Sequence, residues 1–193
     1  MYIAGLEGNT ELVRILLNHE KTTSEMVDKI LAPNSAGNSI VHSAAFEDQA
    51  DFIKAIFSAP QITDEIVAKL IGVNFQGMTP LTTAIIFNRT DCAEAILLHP
   101  RLNQHHRRIL MSPNSKINNP LITAIEKRRQ HIINSLLKAP YIAETMPLLL
   151  QPDANKNTAL HYILEHSKYE QETTTIINTG APMLKILLAP NNT

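Results

Sequence analysis

The stretch NFQGMTPLTTAI, residues 74–85, combines a turn signal with the start of a helix. Asn74 is a residue type that hydrogen-bonds its own backbone in turns, and Gly77 can adopt the positive φ that many turns require. Thr79 occupies the position of a helix N-cap, because Pro80 follows it and proline is favoured at the first helical position. We therefore predict a tight turn that leads directly into a capped helix.

The same pattern recurs three more times along the chain. The other copies begin at Asn34, Asn114 and Asp153, so successive copies are spaced by 40, 40 and 39 residues. A fixed period of this size is typical of stacked structural units. The cap position is held in turn by Ser39, Thr79, Asn119 and Thr158. We predict one array over residues 1–193, with a partial repeat over 1–33 and repeats that start near 34, 74, 114 and 153.

A second helical pattern follows the first in each unit. Residues 8–17 align with 48–57, 88–97 and 128–137, and their apolar residues recur at the spacing of one helix face. The turn before this helix holds Gly8, Asp48 and Asn88, which tolerate a left-handed backbone. Arg128 departs from that pattern.

A third, shorter pattern accounts for the rest of the period. Thr23, Thr63 and Asn103 stand at cap positions before short apolar stripes such as Met26 with Ile30. We predict a third helix in each unit. The fourth copy contains Pro147, which predicts a distorted helix.

The motif Asn-x-x-Gly-x-Thr-Pro-Leu, followed by a helix of the type GNTELVRILL, resembles the ankyrin repeat over nearly the whole chain. Two features depart from that family. The usual His after Leu survives only at His42 and His161, and the period is near 40 rather than about 33 residues. The resemblance implies an all-α, ankyrin-like solenoid of about four to five stacked repeats, here with three helices per repeat.

The two ends of the sequence lie within the repeat pattern. Met1 aligns with Val41, and Thr193 aligns with Thr63, so neither end resembles the polar capping repeat that solenoids usually carry. This predicts that the chain is a fragment of a longer protein. The last unit is lengthened by a polar, Thr-rich segment at Lys168–Ile177.

The resemblance also implies where a partner would bind. Ankyrin arrays usually bind proteins through the turn tips and the concave face of the first helices. The residues at those positions that we assign to the partner site are Phe46, Phe75, Met78, Ile86 and Lys116. Large apolar residues at exposed positions indicate a contact patch. The alternative is that the third helix changes the packing and buries them.

A strongly basic window offers a second surface. Residues 101–138 contain eight Lys and Arg residues and one acid, Glu126, for a net charge of +7, whereas the rest of the chain carries −8. The predicted basic patch comprises Arg107, Arg108, Lys127, Arg128 and Arg129. It could meet an acidic protein or a phosphoinositide headgroup, or be simply a solvated face. Nucleic acid is disfavoured because no aromatic residues alternate with the charges.

Residues with catalytic or metal-binding chemistry form no recognisable constellation. The sequence has no Gly-rich phosphate loop and no G-x-S-x-G elbow. The lone Cys92 falls in the buried column of Leu12, so we predict a core thiol. His105 and His106 are adjacent, and no Cys accompanies them as a zinc site would need. We predict no cofactor and no metal site, and His106 is expected to be half-buried.

These observations favour a non-catalytic protein-binding module. The alternative is a targeting or substrate-recruiting module of a larger enzyme. No apolar stretch reaches the length of a membrane span, and a single thiol fits a reducing, cytoplasmic compartment. The long, irregular repeats are also similar to those of secreted effectors of intracellular bacteria, which would imply a host cytosol.

Overall fold

A computed structural model describes residues 9–164 of the chain. The start of the predicted first repeat and the Lys168–Ile177 segment lie outside the described residues. Within residues 9–164 the protein is all-α: it forms twelve helices and no strand. These helices are α1 Thr10–Asn18, α2 Ser24–Ile30, α3 Ile40–Phe46, α4 Ala50–Ser58, α5 Asp64–Ile71, α6 Pro80–Ile86, α7 Thr90–Leu97, α8 Gln104–Met111, α9 Pro120–Glu126, α10 Gln130–Leu137, α11 Ile142–Leu149 and α12 Ala159–Leu164.

The predicted capping residues begin the helices as expected. Ser39 and Thr79 accept a hydrogen bond from the third residue of α3 and α6, and that residue's side chain in turn accepts from the cap backbone N–H. Asn119 caps α9 through its side-chain oxygen. These reciprocal bonds satisfy backbone donors that a helix start would otherwise leave unpaired. The predicted caps Thr23, Thr63 and Asn103 also start α2, α5 and α8.

Helices at equivalent positions of the sequence pattern pack against one another. α3 contacts α6, α6 contacts α9, and α9 contacts α12. The helices of the second sequence pattern pack in the same order: α1 contacts α4, α4 contacts α7, and α7 contacts α10. The short helices α5, α8 and α11 pack successively as well.

The core runs between these helices and is mostly aliphatic. Its largest fully buried side chains include Phe52, Phe57, Leu81 and Ile96. Burial of a side chain of this size contributes about 1.5–3 kcal/mol. Small residues on the first helices, Ala44, Ala84 and Ala124, are fully buried. Their size allows neighbouring helices to approach closely.

The turns before α3, α6, α9 and α12 share one hydrogen-bonding pattern, in which an Asn or Asp side-chain oxygen accepts from backbone N–H groups of the same turn. Asn74 Oδ1 accepts from the backbone N–H groups of Gln76 and Met78, both at 3.0 Å. Asn34 and Asp153 do the same in their own turns. Gly37 and Gly77 have φ of 75° and 81°, the left-handed region that glycine adopts without strain.

The turns before α4, α7 and α10 are also left-handed, including the one held by arginine. Asp48, Asn88 and Arg128 have φ of 63°, 58° and 57°. Arg128 therefore keeps the local geometry despite its unfavourable residue type, which costs about 1–2 kcal/mol relative to an unstrained residue.

Two sequence expectations about the short helices need correction. Met26 is 47% exposed, so it does not belong to a buried stripe of α2. His106 is fully buried rather than half-buried. Helix α11 contains Pro147, as the sequence pattern predicted, and it begins after Tyr141 without the side-chain cap bond that α2, α5 and α8 have.

Candidate functional site

A groove lies between α3 and α6, and two phenylalanines stand at its mouth. Phe46 is the last residue of α3 and Phe87 directly follows α6. Their rings meet edge to face with centroids 4.5 Å apart, yet the two residues remain 43% and 41% exposed. We call this cavity of about 340 Å³ the Phe46 groove; its lining residues are Asn38, His42, Ser43, Phe46, Asn74, Gln76, Met78, Thr83 and Phe87.

His42 forms the floor of the groove and joins its two walls. Its Nδ1 accepts from the backbone N–H of Ser39 at 3.2 Å, so Nε2 carries the proton and donates to the Met78 carbonyl at 2.8 Å. Burial lowers the pKa of His42 to about 4, although the bond to Met78 opposes that shift. The floor is therefore uncharged at neutral pH.

Most other polar side chains of the groove form hydrogen bonds within the protein. Asn74 Nδ2 donates to Asn38 Oδ1 at 2.7 Å, which links two successive turns. Ser43 and Thr83 donate their hydroxyl protons to the carbonyls of Ser39 and Thr79, the residues that cap their helices. The groove is thus preformed, and its accessible surface is chiefly aromatic and apolar.

The structure brings together only part of the predicted partner site. Phe46 and Met78 line the groove, and Met78 is half-buried. Phe75 is 70% exposed, but its ring lies over Gly37 and lines a separate cavity of about 400 Å³ with Val73. Ile86 is half-buried and does not line the groove.

Lys116 reaches back to the preceding turn. Its Nζ donates to the Phe75 carbonyl at 2.6 Å while the residue stays exposed. Asn114 makes a parallel link, from Nδ2 to the Gly77 carbonyl at 2.7 Å. Lys116 therefore holds two turns together at the edge of the groove and still presents a positive charge to solvent.

Arg129 has a structural role that the sequence analysis did not foresee. Its Nε and Nη2 donate to the carbonyls of Ile85 and Ile86 at 3.1 and 2.9 Å. These carbonyls lie at the C-terminal end of α6, where helix carbonyls lack partners and a cation is favoured. Arg89 makes the equivalent bond to the Phe46 carbonyl at 3.1 Å. The 40-residue spacing of the two arginines was the signal for this role.

Arg107 is also engaged within the protein. Its Nη1 lies 3.2 Å from Glu144 Oε2, and its guanidinium stacks 4.2 Å from the centroid of the Tyr141 ring. Burial raises the pKa of Tyr141 to about 12. Of the predicted basic patch, Arg107 and Arg129 thus contact other parts of the protein, whereas Arg108, Lys127 and Arg128 are exposed.

Phe87 is the site residue that the sequence analysis missed. The equivalent positions in the neighbouring units are Glu47 and Lys127, both charged and exposed. A phenylalanine in a column of charged residues was therefore the available signal.

The remaining candidate groups are structural. Cys92 is fully buried, and burial together with the nearby Asp48 raises the pKa of its thiol to about 12. This confirms the predicted core position. His106 uses the same bonds as His42, with Nδ1 facing the Asn103 N–H and Nε2 on the Asp64 carbonyl. Across residues 9–164, no group of three or more His, Cys, Asp and Glu residues is arranged to hold a metal ion.

Two comparisons of the sequence with known proteins found no match. No protein-family model matches the sequence, and no curated protein is similar to it. Among the helices of residues 9–164, none has both the length and the apolar character needed to cross a membrane.

Proposed function

We propose that the chain is an ankyrin-like solenoid with three helices per repeat that binds a partner protein without catalysis. The 40-residue sequence period supports this arrangement, and so do the successive contacts of equivalent helices. In this proposal α3, α6, α9 and α12 are the first helices of the repeats, and the Phe46 groove lies on the face that they share.

The single observation that carries the binding function is the exposed pair Phe46 and Phe87. Two phenylalanines that are each about two-fifths exposed, in contact with each other and beside a preformed cavity, form an exposed apolar patch of the kind that marks contact sites. Full burial of a phenylalanine contributes about 1.5–3 kcal/mol, so a partner that covers the exposed part of each ring gains about 1 kcal/mol per ring. Interface hot spots have this character.

The function is tested by retention of proteins from a cytosolic lysate on the immobilised full chain. We compare wild type with Phe46→Ala and Phe87→Ala, and quantify the retained proteins by mass spectrometry. Leu98→Ala is the matched control, because Leu98 is 51% exposed but lies outside the groove. Circular dichroism establishes that each variant is folded.

The expected result is a partner that both groove variants release and the control retains. A partner lost only with Phe75→Ala would move the site to the cavity beside Val73. If no retained protein responds to the groove variants or to Phe75→Ala, the proposed function is wrong. The same comparison, made with vesicles that contain phosphoinositides, tests the alternative of a targeting module that acts through exposed basic residues.

We also propose a reducing, cytoplasmic compartment for this activity. The support is that the sequence contains one cysteine, Cys92, so the chain cannot form an internal disulfide. The thiol of Cys92 is also buried in the core.

A further inference from the structure

The two sides of the Phe46 groove carry opposite charge. On one side Glu47, which is exposed, follows Phe46, and Asp48 comes next. On the other side Lys127 and Arg128 occupy the equivalent positions after α9 and are exposed as well. Asp48 is paired with Arg89, whose Nη1 lies 3.8 Å from Asp48 Oδ2, so Glu47 supplies the negative charge at one end of the groove and two cations stand toward the other end.

Bonds across the turns fix this arrangement. Arg89 donates to the Phe46 carbonyl, which places the turn after α6 against the end of α3. Arg129 donates to the Ile85 and Ile86 carbonyls, which places the turn after α9 against the end of α6, beside Phe87. Lys127 and Arg128 are thus held one helix beyond the aromatic pair.

These two cations are available to a partner. Within the part of the chain that the structure describes, neither the Lys127 nor the Arg128 side chain forms a hydrogen bond or an ion pair. Lys116 adds a third exposed cation at the turn before α9. The acid next to them in the sequence is Glu126, whose carboxylate accepts from Asn118 Nδ2 at 3.4 Å.

We propose that the segment bound in the Phe46 groove is an extended peptide with an apolar anchor and acidic residues on one side of that anchor only. This inference rests on the proposed function. Packed helices lie about 8–10 Å apart, and three residues of extended chain span about 10 Å. The carboxylates of the partner therefore stand about three residues from the anchor, over Lys127 and Arg128.

The charge polarity also sets the direction in which the segment runs. An acidic residue on the other side of the anchor would meet Glu47, and like charges across an interface are unfavourable. Since all these groups are exposed, salt screens them, and each contact is worth little alone. Reversal of both Lys127 and Arg128 is expected to weaken binding roughly 3- to 30-fold at 0.15 M salt, and less at higher salt.

The test uses a display library of random dodecapeptides selected against the full chain. Affinities of the enriched peptides are then measured by fluorescence anisotropy for wild type, Phe87→Ala, and the double variant Lys127→Glu with Arg128→Glu. Lys138→Glu is the control, because Lys138 is an exposed lysine at the end of α10, away from the groove lining. Because Arg128 has a left-handed backbone, a second variant, Arg128→Asn, removes its charge with a residue that tolerates that geometry.

The expected peptides carry an aromatic or aliphatic anchor with acids displaced to one side. They lose affinity with Phe87→Ala and with the charge-reversed variant, and keep it with Lys138→Glu. Peptides in which lysine replaces the acids should prefer the charge-reversed variant.

Other outcomes separate this inference from the proposed function. Peptides that need Phe87 but show no acidic bias overturn the inference and leave the proposed function intact. Peptides that bind Phe87→Ala as tightly as wild type overturn both. No enrichment at all overturns the inference, and the lysate comparison then decides the proposed function. Binding of Lys127 and Arg128 to phosphoinositide vesicles, without acidic peptides, assigns these cations to a lipid headgroup and also overturns the inference.

Discussion

Protonation of His42 should destabilise the protein in a defined pH range. The neutral ring accepts from Ser39 N–H and donates to the Met78 carbonyl, and burial lowers its pKa from 6.5 to about 4. Below pH 6.5 the unfolded chain gains a proton at this site that the folded chain does not hold. The stabilisation from His42 is therefore complete above about pH 6.5 and is lost as the pH falls to about 4.

The magnitude follows from the two pKa values. Between pH 7.5 and pH 5, the unfolded state binds more protons at His42 than the folded state does. This difference lowers the free energy of unfolding by about 2 kcal/mol. This is a large share of the stability of a domain, which is typically about 5–15 kcal/mol. The assay is urea unfolding followed by circular dichroism at pH 7.5, 6.5, 5.5 and 5.0.

The chain supplies its own matched control for this experiment. Thr82 stands at the position equivalent to His42, and its hydroxyl accepts from the Thr79 N–H at 2.7 Å in the same capping arrangement. His42→Thr should therefore keep the helix cap while removing the titrating ring. Subtraction of its pH profile from that of wild type removes the contribution of carboxylates. If both proteins lose the same free energy between pH 7.5 and 5, or if NMR places the pKa of His42 near 6.5, the reasoning is refuted.

Three further predictions concern groups that the structure holds in defined environments. Arg129→Met should lower the free energy of unfolding by about 1–3 kcal/mol, because the Ile86 carbonyl loses its donor while the Ile85 carbonyl keeps the Asn88 N–H. Lys127→Met should change it by less than about 0.5 kcal/mol in the same urea titration. Gly77→Ala should destabilise by at least about 1–2 kcal/mol, because φ is +81° and a Cβ would stand 2.8 Å from Asn114 Oδ1. Gly72→Ala, at a negative φ and with no contact below 3.4 Å, should be nearly neutral by comparison. Cys92 should react with Ellman's reagent only at the rate of structural opening; rapid labelling of the native protein would contradict its burial.

The local features of the fold could be predicted from the sequence because they depend on neighbouring residues. Caps such as Ser39 and Thr79 act within one helical turn, so a residue type and its spacing were sufficient. The left-handed turns at Asp48 and Asn88 follow from the same short-range logic. At Arg128 the propensity argued against this geometry, and packing of the surrounding helices imposed it.

The candidate site was less predictable because it depends on contacts between residues about 40 positions apart. Exposed charge alone did not distinguish Arg129, which binds helix-end carbonyls, from Lys127, which faces solvent. Phe75 and Met78 are close in sequence, but the turn directs them into different cavities. Identification of Phe87 required comparison of one column of the sequence pattern across the units, rather than a search at the contact positions that the ankyrin resemblance implies.

The hydrogen bonds that Arg89 and Arg129 make to helix-end carbonyls have a consequence for deletions in this sequence. Each arginine donates to a carbonyl at the end of the corresponding helix one unit earlier, 43 or 44 residues back. Removal of residues 74–113, one complete period, would bring Arg129 into the register that Arg89 now occupies, opposite the Phe46 carbonyl. We expect Arg129 to donate to the Phe46 carbonyl as Arg89 does now. The number of 40-residue periods could then change without redesign of the contact between neighbouring periods.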